Sequence, residues 1–150
     1  MIDKTDVKIL KVLQENGRKA NKDIAAEVGM VPSAISERIK KLKERKIIKA
    51  FETRIDAKKV EKNLLAFVYV TTNEQVKGWG TGKELSLIDD IQEVYNVAGE
   101  DCYLIKVRVK DTKALSELLR EKIGKIETVT STRTTIVLDT YKETCKLNLE

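Results

Sequence analysis

Residues 21–45 read NKDIAAEVGMVPSAISERIKKLKER, and their spacing decides the fold of the first third of the chain. Asn21 is placed to cap a short helix with Ile24, Ala25 and Val28 on its inward face. Gly29 ends that helix in a left-handed turn, which a residue lacking a Cβ adopts without steric penalty. Pro32 opens the next helix, at a position where its missing N–H costs nothing. Ile35, Ile39 and Leu42 then fall at i, i+4 and i+7 as one apolar stripe, leaving Ser33, Ser36, Glu37, Arg38, Lys40, Lys41 and Lys43 outside. Two helices joined by a tight glycine turn, the second basic on its outer face, form helix-turn-helix geometry. A plain helical hairpin with a solvated charged face has the same spacing. The small Ala25 at the helix approach, the glycine turn and the basic face favour DNA.

Upstream, Ile2, Val7, Leu10 and Leu13 predict a helix over about 4–16, with Asp3 as N-cap and Gly17 as its stop. Ser33, Ser36 and Arg38 lie early on the third helix, where a recognition helix meets base edges or flanking phosphates. Arg38 is suited either to forking onto a guanine edge or to gripping a phosphate. Lys40, Lys41 and Lys43 read as phosphate contacts or as solvated lysines. Arg18, Asn21 and Lys22 stand at the start of the second helix, whose N-terminus itself suits a phosphate. Glu37 either accepts from a cytosine or pairs with Lys41 at i+4.

Charge is divided along the chain. The 150 residues carry +5 overall, but residues 1–62 hold 17 Lys+Arg against 10 Asp+Glu, and residues 63–150 hold 12 against 14. A basic module joined to a near-neutral one explains this, and basic modules attract polyanions. Lys/Glu-rich surfaces that merely keep a protein soluble are the alternative.

Beyond the head, Ile47 to Ile55 alternates and is expected as a linking strand, with residues 56–63 connecting. The expected domains are therefore 1–62 and 63–150. In the second, Leu64–Thr72 reads as a strand, Glu84–Ile91 as a short helix and Val94–Ala98 as a strand. Trp79 sits among Gly78, Gly80 and Gly82, read as a loop anchor or, more sharply, as a gate over a ligand. Tyr103, Ile105, Val107 and Val109 alternate with Lys106, Arg108 and Lys110, the cleanest strand pattern in the chain. A helix capped at Asp111 or Thr112 and running to Ile123, then a Thr-rich strand from Val129 to Asp139, complete a split βαβ order. The fold class is α+β: an N-terminal helix-turn-helix (winged-helix-like) domain plus a C-terminal ferredoxin-like βαββαβ domain. Helices on one face leave the other open, which a homodimer would cover, and two-fold symmetry suits operator half-sites.

The composition narrows the chemistry. Histidine is absent, which removes the commonest general acid-base and transition-metal ligand. Two cysteines, Cys102 and Cys145, are too few for a disulfide framework or a zinc cage, so neither a metal site nor a catalytic residue is expected. No run of apolar residues is long enough to span a membrane, and the opening MIDKTDVKIL lacks the features of a secretory signal; a cytoplasmic location is expected.

The segments IDKTDVKILKVLQENGR, DIAAEVGMVPSAISERIKKLKERKIIKAF and KIETVTSTRTTIVL together resemble the Lrp/AsnC, or feast/famine, family of transcription regulators over essentially the whole chain. The resemblance implies dimers formed through the C-terminal domain, assembling further to tetramers or octamers, that bind double-stranded DNA. It also implies an amino-acid effector bound between dimers, and no other cofactor. Carried over by position, the effector site involves Gly99, Glu100, Asp101 and Tyr103 with Thr130, Thr132 and Thr134. A turn offers N–H groups to a carboxylate, an acid pairs the ammonium, and hydroxyls complete the shell. Two departures stand out. The family commonly has Gly-x-aromatic-Asp in that turn, where this chain has Asp101 at the aromatic's place and Cys102 at the aspartate's. Either Asp101 supplies the carboxylate from a shifted position, or the pocket is altered or empty. Val31 also stands where the family often has a capping Ser or Thr. A ligand-independent architectural DNA binder is the alternative function. A sirohaem-decarboxylase-like enzyme is disfavoured by the missing histidine.

Overall fold

The computed structural model describes residues 2–75, 78 and 80–150; Trp79, read above as an anchor or gate, lies outside the described residues. The chain forms two compact units. One comprises residues 1–54 with 142–150, the other residues 55–141. The division thus falls at 54/55 and 141/142, where sequence alone places a single one at 62/63. Residues 57–62 belong with the second unit because Lys62 closes a turn onto the Ala57 carbonyl and pairs with Asp90 at 2.8 Å.

The first unit is built on α1 (Lys4–Glu15), α2 (Asn21–Val28) and α3 (Pro32–Glu44). Asp3 caps α1 as expected. Its carboxylate accepts from the Asp6 N–H, and the Asp6 carboxylate accepts from the Asp3 N–H, a reciprocal capping box with aspartate in the place usually held by Glu or Gln. Ile9, Leu10, Ile24, Ala25, Ile35 and Leu42 make the core. Gly29 adopts φ 77 between α2 and α3, the left-handed turn that glycine alone takes freely. Three expectations change. Asn21 does not cap α2: Ala20 holds that position without a side-chain bond, and Asn21 is the first helical residue. Asn16, not Gly17, closes α1, and Gly17 instead gives room to the Phe51 ring, which a Cβ there would meet at 3.2 Å. Residues 47–55 form no strand, because alternation supplies a pattern but a strand needs a ladder partner, and none pairs with it among the described residues.

The second unit carries β1 (Leu64–Thr72), α4 (Gly80–Ser86), β2 (Ile91–Asn96), β3 (Tyr103–Val109), α5 (Thr112–Glu117) and β4 (Val129–Ile136). The four strands are antiparallel in the order β2-β3-β1-β4, which is the ferredoxin-like arrangement. Ala66, Val68 and Val70 of β1 and Tyr103, Ile105, Val107 and Val109 of β3 pack on Leu85, Leu115, Leu118 and Ile123, so the helices cover one face of the sheet. Asp111 caps α5, and its helix continues through a wider turn at Leu118–Lys122. α4 lies earlier than its apolar spacing predicts. The Glu74 carboxylate accepts from the N–H groups of Gly80 and Thr81 at 2.7 and 3.2 Å, starting the helix from six residues upstream. β2 accordingly starts at Ile91 rather than Val94. β4 ends at Ile136, which pairs with Ala66, and Val137 just beyond it still donates to the Leu65 carbonyl.

Candidate nucleic-acid interface and effector face

α3 turns Ile35 and Leu42 into the core of the first unit and leaves Ser33, Ser36, Glu37, Lys40, Lys41 and Lys43 exposed. Arg18, Asn21 and Lys22 are exposed where the chain enters α2. Lys41 lies 3.6 Å from Glu37 and Lys40 3.9 Å from Glu44, exposed pairs of the weak i,i+4 kind that a phosphate displaces at little cost. Arg38 is placed differently. Its Nη1 donates to Asp3 Oδ2 and to Asp6 Oδ1, both at 2.8 Å, bolting α3 to the capping box of α1. The Asp6 backbone N–H, followed by the Arg38 guanidinium, holds the Asp3 carboxyl below its usual range, and the two carboxylates push the Arg38 pKa up. Sequence set Arg38 among the outward DNA contacts; the structure turns its guanidinium toward α1.

The turn before β3 places Gly99 at φ 140, a conformation side chains avoid, with Glu100 exposed beside it. Asp101 accepts a 2.9 Å bond from Arg133 Nη2 and a long one, 3.4 Å, from the Thr71 hydroxyl. Arg133 also lies 4.2 Å from the centre of the Tyr69 ring. Cross-strand register explains the grouping: Arg133 pairs with Tyr69 and Ser131 with Thr71, all on the face away from the helices. Thr132 and Thr134 pair with Val70 and Val68, so they point to the helix side. Thr130 donates its hydroxyl to the Thr71 carbonyl beside the bulge at Thr71/Thr72. Tyr103 is buried in the core, its phenol donating to Glu74 Oε2 at 3.0 Å. Burial opposes the Glu74 charge, but donors from Thr81, Tyr103 and Gly80 outweigh it and hold that carboxyl low. The Cys102 sulfur accepts from the Thr72 N–H at 3.4 Å. The residues expected at the effector site therefore do not all converge: Asp101 shares the open face with Tyr69, Thr71 and Arg133, none of which the sequence singled out. Arg133 interrupting a threonine run was the available signal, and only the strand register gives it meaning.

Residues 2–43 match the AsnC-type helix-turn-helix domain, and residues 65–147 the Lrp/AsnC ligand binding domain. The chain belongs to the Lrp/AsnC family. This Lrp/AsnC protein is 36% identical to the HTH-type transcriptional regulator FL11 of Pyrococcus horikoshii, over 99% of this chain and 97% of that one. It is 30% identical to the leucine-responsive regulatory protein of Escherichia coli K12, over 97% of this chain and 90% of that one. Among solved structures it resembles a feast or famine regulatory protein of M. tuberculosis complexed with L-methionine, at TM-score 0.91 and 28% identity, covering 98% and 99% of the two chains. A transcriptional regulator of Neisseria meningitidis, also in complex with L-methionine, matches at TM-score 0.89 and 27% identity, covering 99% and 97%. The Lrp/AsnC chain described here is thus a transcription regulator, with a helix-turn-helix head and a four-stranded α+β domain.

Proposed function

We propose that this Lrp/AsnC regulator binds double-stranded DNA by seating α3 in the major groove, as a homodimer that assembles further, and that an amino acid modulates it. The observation that carries the DNA reading is the outer face of α3, where Ser33, Ser36, Lys40, Lys41 and Lys43 stand exposed behind a tight left-handed turn. Serines at the start of the helix suit base edges or phosphates, and the lysines suit phosphates. Arg18 and Lys22 flank the N-terminus of α2, a second phosphate position. Arg38 contributes by positioning α3 on α1. The dimer reading is supported by the sheet face turned away from the helices, which carries half-buried Phe67, Tyr69 and Leu104 between charged neighbours.

The effector reading is supported by the Asp101–Arg133 pair. An α-amino acid carries both charges needed to separate it, an ammonium for Asp101 and a carboxylate for Arg133, while Gly99 and Glu100 border the same turn.

Fluorescence anisotropy on genomic duplexes between 50 and 200 mM salt tests the DNA reading. Each lysine that neutralises a phosphate contributes about 0.9 to the slope of log affinity against log salt. Replacing Lys40, Lys41 and Lys43 together by alanine should flatten that slope by about 2–3. Salt-independent or absent binding by the parent protein would remove the reading.

A further inference from the structure

Segment 142–150 folds back onto the helix-turn-helix unit rather than onto the sheet domain it follows. Gln14, on the outer side of α1, reads its backbone in both directions: Nε2 donates to the Leu147 carbonyl at 3.0 Å, and Oε1 accepts the Leu147 N–H at 2.6 Å. On either side, Lys146 pairs with Glu15 at 2.7 Å and Leu149 packs against the head core. Nearer the start of the segment, Glu143 approaches Arg54 at 3.6 Å. The seat is not sealed. Leu147 stays 71% exposed, and a groove of about 560 Å³ remains beside it, bounded by Lys11, Val12, Asn16 and Lys19. Few apolar contacts, exposed ion pairs and one side-chain amide describe an element held by a small free energy, which opens by itself on the scale of local unfolding.

We propose that residues 142–150 are a detachable strap on the DNA-binding head, whose seating raises DNA affinity by holding α1 and the turn into α2 in their docked geometry. The strap follows β4 after only residues 137–141, so the strand that carries Arg133 continues directly into it. Of the two chain crossings between the units, at 54/55 and 141/142, it is the one that leads straight from β4 to the head. A head loosened by strap release must be re-ordered on binding, and that lowers its apparent affinity by the fraction of molecules not already competent. The affinity half of this inference rests on the DNA-binding reading above; the seating half does not.

The test compares the full chain with a chain ending at Tyr141 and with the full-length double variant Gln14→Ala, Glu15→Gln. Removing residues 142–150 takes away Lys142 and Lys146 together with Glu143 and Glu150, so net charge is unchanged and the electrostatic attraction to DNA is not the variable. Amide hydrogen exchange across α1 and α2 should accelerate about tenfold in both altered proteins. Affinity for a random-sequence 30-base-pair duplex at fixed salt should fall several-fold. Exchange within twofold of the parent would show that the segment is not seated and overturn the inference. Faster exchange with unchanged duplex affinity would leave only a stabilising tail and overturn its control of binding. Duplex binding absent from all three proteins would instead sink the DNA-binding reading, and the affinity half with it, while exchange still decides the seating.

Discussion

Arg38 and Asp3 are 35 residues apart in sequence and 2.8 Å apart in the head. Asp6, which takes the other bond from the same Nη1, is only 7% exposed. Truncating Arg38 to alanine therefore leaves a nearly buried carboxylate oxygen without its charged donor, a loss of about 1–3 kcal/mol. The expected outcome is a lower melting temperature for the head, detected by calorimetry without any DNA present. A variant that melts like the parent but loses operator affinity would return Arg38 to the readers of base edges. Acid acts on the same corner. The folded Asp3 carboxyl titrates below its ordinary value of 3.8, so its contribution is complete above that pH and is lost as pH falls through the folded value. Asp90 behaves alike in the second unit, where hydrogen bonds from Lys62 and then Lys122 outweigh partial burial and lower its pKa. Asp90→Asn should flatten the dependence of that unit's stability on pH below about 4, measured by urea unfolding across an acid series. An unchanged profile would show that the two lysines do not hold this charge in solution.

At the scale of elements, α3 begins without a cap. Val31 holds the N-cap position at φ −83 and ψ 148, has no side-chain acceptor, and is 62% exposed. Val31→Ser supplies an acceptor to a backbone already in the right conformation and gives up little burial, so the head should gain about 1 kcal/mol. Thermal unfolding checks it, and an unchanged or lowered midpoint counts against the assigned start of α3. Elements with strong local signals were legible in advance. The i, i+4, i+7 line of Ile35, Ile39 and Leu42 and the alternation of Tyr103 to Val109 each state both a type and a face. What sequence missed depended on distant partners. α4 starts where Glu74 reaches forward to Gly80 and Thr81, residues 47–55 alternate without a ladder partner among the described residues, and segment 142–150 has no period but has Gln14. The candidate site divides the same way. The exposed lysines of α3 follow from its stripe, whereas the partners of Asp101 and Arg38 follow only from register and packing.

At the scale of the whole molecule, the regulatory question turns on whether the Asp101–Arg133 pair opens for a ligand. The pair is partly exposed, with the Arg133 side chain at 65% and that of Asp101 at 24%, so its own worth is small and a zwitterion competes for it on reasonable terms. A ligand that binds only the native state raises apparent stability by RT ln(1 + [L]/Kd), about 2.7 kcal/mol at a hundredfold excess over Kd. Screening the twenty amino acids at millimolar concentration should therefore raise the melting temperature with one or a few of them. The two charges predict distinct losses. Asp101→Ala removes the ammonium's partner and should abolish the shift. Arg133→Ala removes the carboxylate's partner, frees Asp101 from its internal competitor, and should weaken the shift while leaving some response to amines without a carboxylate. A shift that survives Asp101→Ala would move the effector away from this turn. No shift with any amino acid would favour a regulator that works without a ligand, its affinity set by phosphate contacts and visible as steep salt dependence with little preference among sequences.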